Sequence, residues 1–398
     1  MKRDALSHAV RQRLKRYEPP YDNHYGVVPA QPLEGVISTI EVGARCRAAD
    51  KALITVEVLA SQLADPWLVS RILPRREAVS SSAIEHTNST LDELLSDEEG
   101  GTMASHGAAA QVRDYALALE ALVPEARARG PAIFTVVLVQ RLHRATMKGD
   151  AGYKDEPGAF RTGVVWIGGT GDIAYSTFNP APPDEVAACL EQSMAYMRCA
   201  GVQLMHQPLL TRMAIAHAHF EAVHPFKDGN GRVGRLLLPL MMAAEGTIPL
   251  YLSPFIEAHK DAYYASLKAA QQREVWHELV GFLADAVVGT VAELRETQKA
   301  LEALRRIWEK RRKFRSGSAS MRALDLLPHY PVLTAPRLSR LLTVTPAAAR
   351  IAVDQLTDAG ILTERTGYRT NRIFAASEVL TIINRPFGEA PVLPGVDD

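Results

Sequence analysis

His224-Pro225-Phe226-Lys227-Asp228-Gly229-Asn230-Gly231-Arg232-Val233-Gly234-Arg235 sets a base, a carboxylate, a glycine-rich turn and two arginines in one short run. Before it, Leu209 to Glu221 is an unbroken helical run with apolar residues at helical spacing. A residue before proline is pushed out of the α region, so this helix should stop at His224 and leave the histidine facing a loop. After it, Arg232 to Ala244 reads as a second, very apolar helix carrying Leu236, Leu237, Leu238, Leu240, Met241 and Met242. Gly229-Asn230-Gly231 then lies at that helix's N-terminus. Glycines let successive N–H groups turn toward one point, and the helix end adds partial positive charge, which makes a phosphate site. Arg232 and Arg235, three apart, share a helix face, from which guanidinium forks grip phosphate oxygens in pairs. Asp228 beside a polyphosphate suits Mg²⁺, which takes one or two carboxylates plus phosphates. His224 is the neutral base at hand near pH 7. The combination predicts transfer of part of a nucleotide to a hydroxyl.

Position for position, the same stretch resembles the HxFx(D/E)GNGRxxR motif of the Fic family. The resemblance implies a mainly α fold: a Fic-type helical bundle with a small β-hairpin flap. It also implies an adenylyltransferase that moves AMP from ATP to a Ser, Thr or Tyr hydroxyl of a target protein, itself included. By this resemblance His224 deprotonates the hydroxyl, Phe226 anchors the loop, and Asp228 binds Mg²⁺ on the α- and β-phosphates. Gly229, Asn230, Gly231 and Arg232 hold the phosphates, and Arg235 engages the γ-phosphate. A Doc-like kinase is the nearest enzymatic rival, but such relatives carry a bulkier cradle than Gly229-Asn230-Gly231. Removal of AMP as a second activity stays open.

Ser81-Ser82-Ala83-Ile84-Glu85 resembles the family's inhibitory (S/T)xxxE(G/N) motif, N-terminal to the catalytic domain. In relatives the glutamate pairs with the second motif arginine, here Arg235, so Ser81 and Glu85 are expected to displace the γ-phosphate. His86 stands where the family has Gly or Asn; a left-handed C′ position prefers those residues and tolerates His at a cost. A third segment, Pro157 to Thr170, looks like the flap: Val164 to Ile167 is β-prone and Gly168-Gly169 is a turn signal. Trp166, Ile167, Gly168 and Gly169 are the expected target-docking residues, pairing with an extended segment by main-chain hydrogen bonds. Tyr263 and Tyr264 either border an adenine or pack the core.

At 398 residues the chain is long enough for more than one domain. Its 45 basic and 45 acidic residues give no global argument for nucleic acid or membrane. Cys46, Cys189 and Cys199 lack metal-ligand spacing and read as reduced thiols of a cytoplasmic protein. No apolar run reaches about 18 residues, so no membrane span is expected. Residues 1 to about 34 are polar and Pro-rich, an extended surface arm within an N-terminal helical region (1–125) that holds the inhibitory helix. A catalytic domain (126–298), a basic linker helix (299–316), a C-terminal domain (317–385) and a tail (386–398) follow.

That C-terminal domain reads as a winged helix-turn-helix: helices at Met321–Leu327, Ala335–Leu342 and Pro346–Ala359, then alternation around Thr366-Gly367-Tyr368. Residues 301–372 hold 14 Lys/Arg against 6 Asp/Glu, and Arg350, Arg365, Arg369 and Arg372 are placed to meet phosphates or a base edge. The alanine-rich third helix (Ala347, Ala348, Ala349, Ala352) offers few side chains to read bases, which keeps a protein-docking role, or a homodimer contact, equally in view. From another class, a DNA-binding regulator with a nucleotide-sensing domain is the alternative function. The intact His224 argues against it, because a pure sensor needs no base.

Overall fold

A computed structural model describes the chain except residues 33–36, 39, 63–70, 101–106, 170, 200–206, 368–371 and 396–398. In chain order its elements are α1 (His8–Arg11), β1 (Leu14–Arg16), β2 (Tyr25–Val27), α2 (Gly43–Gln62), α3 (Ile72–Ile84), α4 (Leu91–Gly100), α5 (Ala108–Arg129) and α6 (Val136–Met147). There follow α7 (Val186–Met197), α8 (Leu209–Val223), α9 (Asn230–Ala244), α10 (Ser253–Ala258), α11 (Lys260–Arg273) and α12 (Trp276–Arg311). The C-terminal part holds α13 (Ala319–Leu326), β3 (Val332–Thr334), α14 (Ala335–Leu342), α15 (Pro346–Asp358), β4 (Thr363–Glu364), β5 (Ile373–Ala375) and α16 (Ser377–Ile383).

Helices α8 and α9 form the centre. Nearly every residue in them is buried, as a helix apolar on all faces must be. They pack on each other, with α5 and α6 against α9 and with α7, α11 and α12 against α8. Helix α3 lies against α5 and α10, which brings the Ser81–Glu85 segment to the motif helix α9. Ile72, Ala78 and Ile84 bury its apolar side, and a polar contact adds to them: buried Glu77 accepts from Ser253 N–H (2.8 Å) and Ser253 Oγ (2.6 Å) at the start of α10. Helix α4 starts with a capping box, in which Glu93 N–H donates to Thr90 Oγ1 (3.1 Å) and Thr90 N–H to Glu93 Oε2 (2.8 Å).

Several expectations need correction. The N-terminal arm is folded rather than extended. β1 and β2 pair antiparallel, Leu14 opposite Val27, and Val27 N–H donates to Asn179 O (2.9 Å). Leu6, Val10 and Val27 pack on Phe178 and Ala222, so the arm's few apolar residues seal the catalytic core. The flap is no two-stranded hairpin. A single bridge joins Ile167 to Phe178, and a 3₁₀ turn at Ile173–Tyr175 fills the loop between them. Glycines at 163, 168, 169 and 171 leave too few β-formers to extend the ladder. The basic linker is no separate helix. α12 runs 36 residues from Trp276, so the boundary drawn at 298 falls inside it, and that drawn at 125 falls inside α5.

In the C-terminal part Ser318, Thr334 and Thr345 each cap a helix by accepting from the N–H three residues on. The strands pair in the order β3-β5-β4, all antiparallel. β3 and β5 lie on α4, and α16, which the sequence reading did not separate, packs on α12. No helix among the described residues is long and apolar enough to cross a membrane.

Candidate active site

Helix α8 ends at Val223, and His224 adopts the left-handed conformation (φ 50°, ψ 62°) rather than the extended one expected before proline. Arg161 accounts for this turn. Its Nε donates to His224 O (2.7 Å), Nη1 to Gly163 O (3.1 Å), and Nη2 to Val223 O (3.2 Å) and Ala181 O. One buried guanidinium thus satisfies the carbonyls left over at the helix end. Beyond it, Phe226 is fully buried and stacks on His143, ring centroids 3.7 Å apart. His143 Nδ1 accepts from Gly158 N–H (2.7 Å), so Nε2 carries the proton and donates to Asp228 O (3.0 Å). The Asn230 amide closes the loop on itself, accepting from Phe226 N–H (2.9 Å) and donating to Phe226 O (2.8 Å).

The cradle sits where α9 begins. Gly229 is left-handed (φ 76°), and the first helical bond runs from Val233 N–H to Gly229 O (3.1 Å), so the N–H groups of Asn230, Gly231 and Arg232 precede the ladder. Asp228 is exposed, and its Oδ1 accepts from Gly229 N–H (2.6 Å). Its other oxygen has no protein partner among the described residues, and no group of three or more His, Cys, Asp or Glu able to hold a metal occurs among them. One free carboxylate beside a phosphate cradle is a donor set Mg²⁺ accepts, with the rest of its shell from nucleotide and water.

The two arginines diverge. Arg232 turns into the core, donating to Gln111 Oε1 (3.3 Å), to Thr146 O (3.3 Å) and to Met147 Sδ (2.9 Å), the sulfur that Gly229 packs against. Arg235 faces α3: Nε donates to Ser81 Oγ (2.9 Å), and Nη2 to Ser81 O (2.9 Å) and Glu85 Oε1 (2.8 Å). The pairing expected from the sequence between Glu85 and Arg235 is therefore present. Gly231 makes room for it, since a Cβ there would overlap Glu85 Oε1. Burial pushes the Glu85 carboxyl up, but the Arg235 guanidinium overrides that and holds it below the usual range. His86, next in the chain, is left-handed (φ 64°).

His224 is 18% exposed at its side chain; burial first and the Arg161 charge second push its pKa down to about 4, so the ring is a free base near neutrality. Its Nδ1 lies 3.3 Å from Glu221 O and 3.9 Å from Glu221 Oε2. Burial pushes the Glu221 carboxyl up to about 8 and that of Glu77 to about 7. His143, Arg161, Glu221 and Gly234 are the residues that sequence reasoning passed over. Only Glu221 left a signal, the one acid in a largely apolar run.

Other expected residues lie apart. Trp166 contacts Tyr21 of the N-terminal arm (centroids 5.7 Å), while Gly168 and Gly169 are exposed at the flap tip. Tyr263 is core: its hydroxyl bonds His217 Nε2 (2.6 Å), and only Tyr264 reaches the surface. Arg350 is exposed on α15, Arg365 pairs with Asp92 of α4, and Arg372 pairs with Glu364; Arg369 lies outside the described residues.

Residues 133–242 match the Fic/DOC family, and residues 44–122 match the Fic/DOC family N-terminal region. The chain is 36% identical over 115 residues to protein adenylyltransferase fic-1 of Caenorhabditis briggsae, covering 29% of this chain and 20% of that one. It is 28% identical over 159 residues to protein adenylyltransferase Fic of Drosophila erecta, covering 39% and 28%. It therefore spans 20–28% of the length of these curated relatives. Among solved structures, a Fic family protein from Desulfovibrio desulfuricans G20 shares the fold with a TM-score of 0.52 at 20% identity, covering 87% of this chain and 98% of that one. Fic-1 from C. elegans gives 0.50 at 22% identity, covering 66% and 75%.

Proposed function

We propose, since this chain belongs to the Fic/DOC family, that it is a protein adenylyltransferase. It moves AMP from ATP to a Ser, Thr or Tyr hydroxyl of a target protein and of itself. The observation that carries the reading is the loop that sets a neutral His224 beside the open N–H groups at the start of α9. His224 takes the hydroxyl proton as the oxygen bonds to the α-phosphorus. The bond from that phosphorus to the bridging oxygen breaks, and pyrophosphate leaves. Because Nδ1 faces Glu221 O, the tautomer with Nδ1–H leaves Nε2 as the accepting atom. Asp228 would hold Mg²⁺, which when bound supplies charge neutralisation on the phosphates. Backbone N–H groups of Asn230, Gly231 and Arg232 orient the phosphates. Arg235 receives the γ-phosphate only when Glu85 leaves it, so α3 restrains the enzyme. Labelled ATP with Mg²⁺, followed by mass spectrometry of the protein, tests the reading. His224→Ala should keep ATP binding and lose transfer by about 10²–10⁴-fold; undiminished labelling would refute the base.

For residues 317–385 we read a winged helix-turn-helix that docks protein rather than DNA. Supporting this, Arg365 and Arg372 are already paired with acids, and the exposed face of α15 presents Ile351, Asp354 and Asp358 beside Arg350. A salt-sensitive duplex shift by the full chain at low salt would overturn it. A cytoplasmic setting belongs to the same reading, supported by three cysteines that form no disulfide.

A further inference from the structure

Glu221 is a buried acid beside the base that the mechanism above leaves unused. It lies on α8, one turn before His224, and is 5% exposed. Its Oε1 is buried without a hydrogen-bond partner. A buried carboxyl lacking partners is a cost that a core position avoids with a Leu or Met. The helix opposite is shaped to admit it, because a Cβ at Gly234 would overlap Glu221 Oε1 and press on Phe220. Gly234 lies at one of the motif's variable positions, so its glycine is needed by the carboxyl, not by the phosphate cradle. The other carboxylate oxygen, Oε2, stands 3.9 Å from His224 Nδ1. That is ion-pair range on the side of the imidazole opposite the atom that accepts the target's proton.

We propose that Glu221 is a positioning residue for the base, a buried carboxyl that titrates together with His224 and sets its strength as a proton acceptor. The inference rests on His224 being the base of the transfer reaction. With Glu221 ionised, its negative charge stabilises positive charge on the ring. Nε2 takes the hydroxyl proton, the O–H bond breaks as the oxygen–phosphorus bond forms, and the resulting imidazolium stands beside a carboxylate. The proton later leaves from Nε2 to solvent, and the pair returns to its starting state. With Glu221 protonated, no compensating charge is present and His224 is a weak base. Two such groups lose their protons in steps that belong to the pair.

The surroundings fit this role. Around Glu221 stand Arg235 from α9, Glu85 from α3, and Tyr263 and Tyr264 from α11. His217, on its own helix, is engaged by Tyr263 and Gly234 O. Facing His224 are Arg161, which disfavours its cation, and Glu85, which favours it. When Glu85 moves off Arg235, Glu221 is the carboxyl that stays at the ring. Burial pushes Glu221 up to about 8, so its ionisation falls where cellular pH changes matter. An opposite charge within about 4–6 Å moves a pKa by roughly 1–3 pH units. A base displaced to about 4 is brought toward the range where general bases work best.

Nuclear magnetic resonance of the 398-residue chain, with ¹⁵N-labelled histidine and ¹³C-labelled glutamate, tests the coupling directly. In wild type, the Glu221 carboxyl and the His224 ring should each show inflections at the same two pH values. Separate single inflections overturn the proposal, and this measurement needs no variant. Glu221→Gln, isosteric and uncharged, should erase the upper of the two inflections from the His224 ring and leave the lower one in place, because Glu221 is already protonated where His224 takes up its proton. The kcat of self-modification should fall by about ten-fold or more, with KM for ATP little changed, and the rise of kcat toward pH 8 should vanish. Superimposable His224 titrations and pH profiles in both proteins would make Glu221 a space-filler. Coupled titrations without any transfer to protein would keep the pair and refute the transferase reading instead.

Discussion

Replacing Glu85 by glycine removes the carboxylate that holds Arg235 at 2.8 Å, in a site where the arginine is 1% and the glutamate 33% exposed at the side chain. Hydrogen bonds to charged groups contribute about 1.5–3 kcal/mol. The exposed third of Glu85 is screened by water and salt, which favours the lower end. Each 1.36 kcal/mol is ten-fold in rate, so a triphosphate that no longer competes for the guanidinium should raise self-modification by about ten- to a hundred-fold. Sterics add in the same direction, because Glu85 Oε1 occupies the space over Gly231 at the heart of the cradle. Glu85→Gln separates the two: it keeps the volume, drops the charge, and should give an intermediate rate. The assay is the initial rate of label incorporation from ATP at matched concentration for wild type and both variants, with folding checked by thermal unfolding. Equal rates in all three would mean that the Glu85–Arg235 pair is structural and that no restraint operates through it.

The left-handed His86 gives a prediction of opposite sign. A side chain in that region costs roughly 1 kcal/mol, so His86→Gly should steady the end of α3 and slow self-modification by up to about five-fold; an unchanged or faster rate would remove His86 from the regulatory account. Arg161→Ala abandons four carbonyl acceptors around the end of α8. Calorimetry should show a loss of at least about 2 kcal/mol, and transfer should fall with it; Arg161→Lys should not rescue, since a lysine lacks the fork. Glu77 carries a pH signature. Its folded pKa, near 7, lies above the reference value of 4.5. The stability linked to it is therefore complete below about 4.5 and lost as pH rises through about 7, by at most on the order of 3 kcal/mol. Glu77→Gln does not titrate, so its melting temperature relative to wild type should climb between pH 5 and pH 8, and a constant difference would contradict the buried, neutral Glu77.

Elements with a strong local signal were legible in the sequence. The apolar runs flanking residues 224–235 are helices because both are central and buried. The caps at Ser318, Thr334 and Thr345 each sit just before a helix. Where the sequence reading missed, tertiary packing outweighed local composition. Pro19, Pro20, Pro29 and Pro32 look like a loose arm, yet Leu6, Val10 and Val27 suffice to seat it on Phe178. Charge density suggested a linker at Lys299, but the helix had begun at Trp276, with its first half buried and its second half wet. Val164 to Ile167 has strand propensity, and the glycines around it withhold a partner.

The site was legible to the level of which residues share a loop, and no further. Spacing put Arg232 and Arg235 on one helix face, yet a helix of this length buried on all sides has neighbours in every direction. Three residues along turn the side chain by about 60°, enough for one arginine to meet α6 and the other α3. The same limit applies to the glycines. A motif glycine reads as backbone freedom, and at Gly229 that holds, because φ is 76°. At Gly231 and Gly234 the backbone is helical and needs no glycine; there the missing Cβ is room for a carboxylate arriving from another helix, Glu85 in one case and Glu221 in the other. Sequence order does not reveal such a fit, since 146 and 13 positions separate the partners and no local pattern pairs either acid with its glycine. Two acids, one exposed at its edge and one sealed, are thus held against a single helix by two side chains that are absent. The one on α3 can leave with its helix, whereas the one on α8 cannot leave without unravelling the turn that carries His224. That asymmetry assigns restraint to Glu85 and support of the base to Glu221.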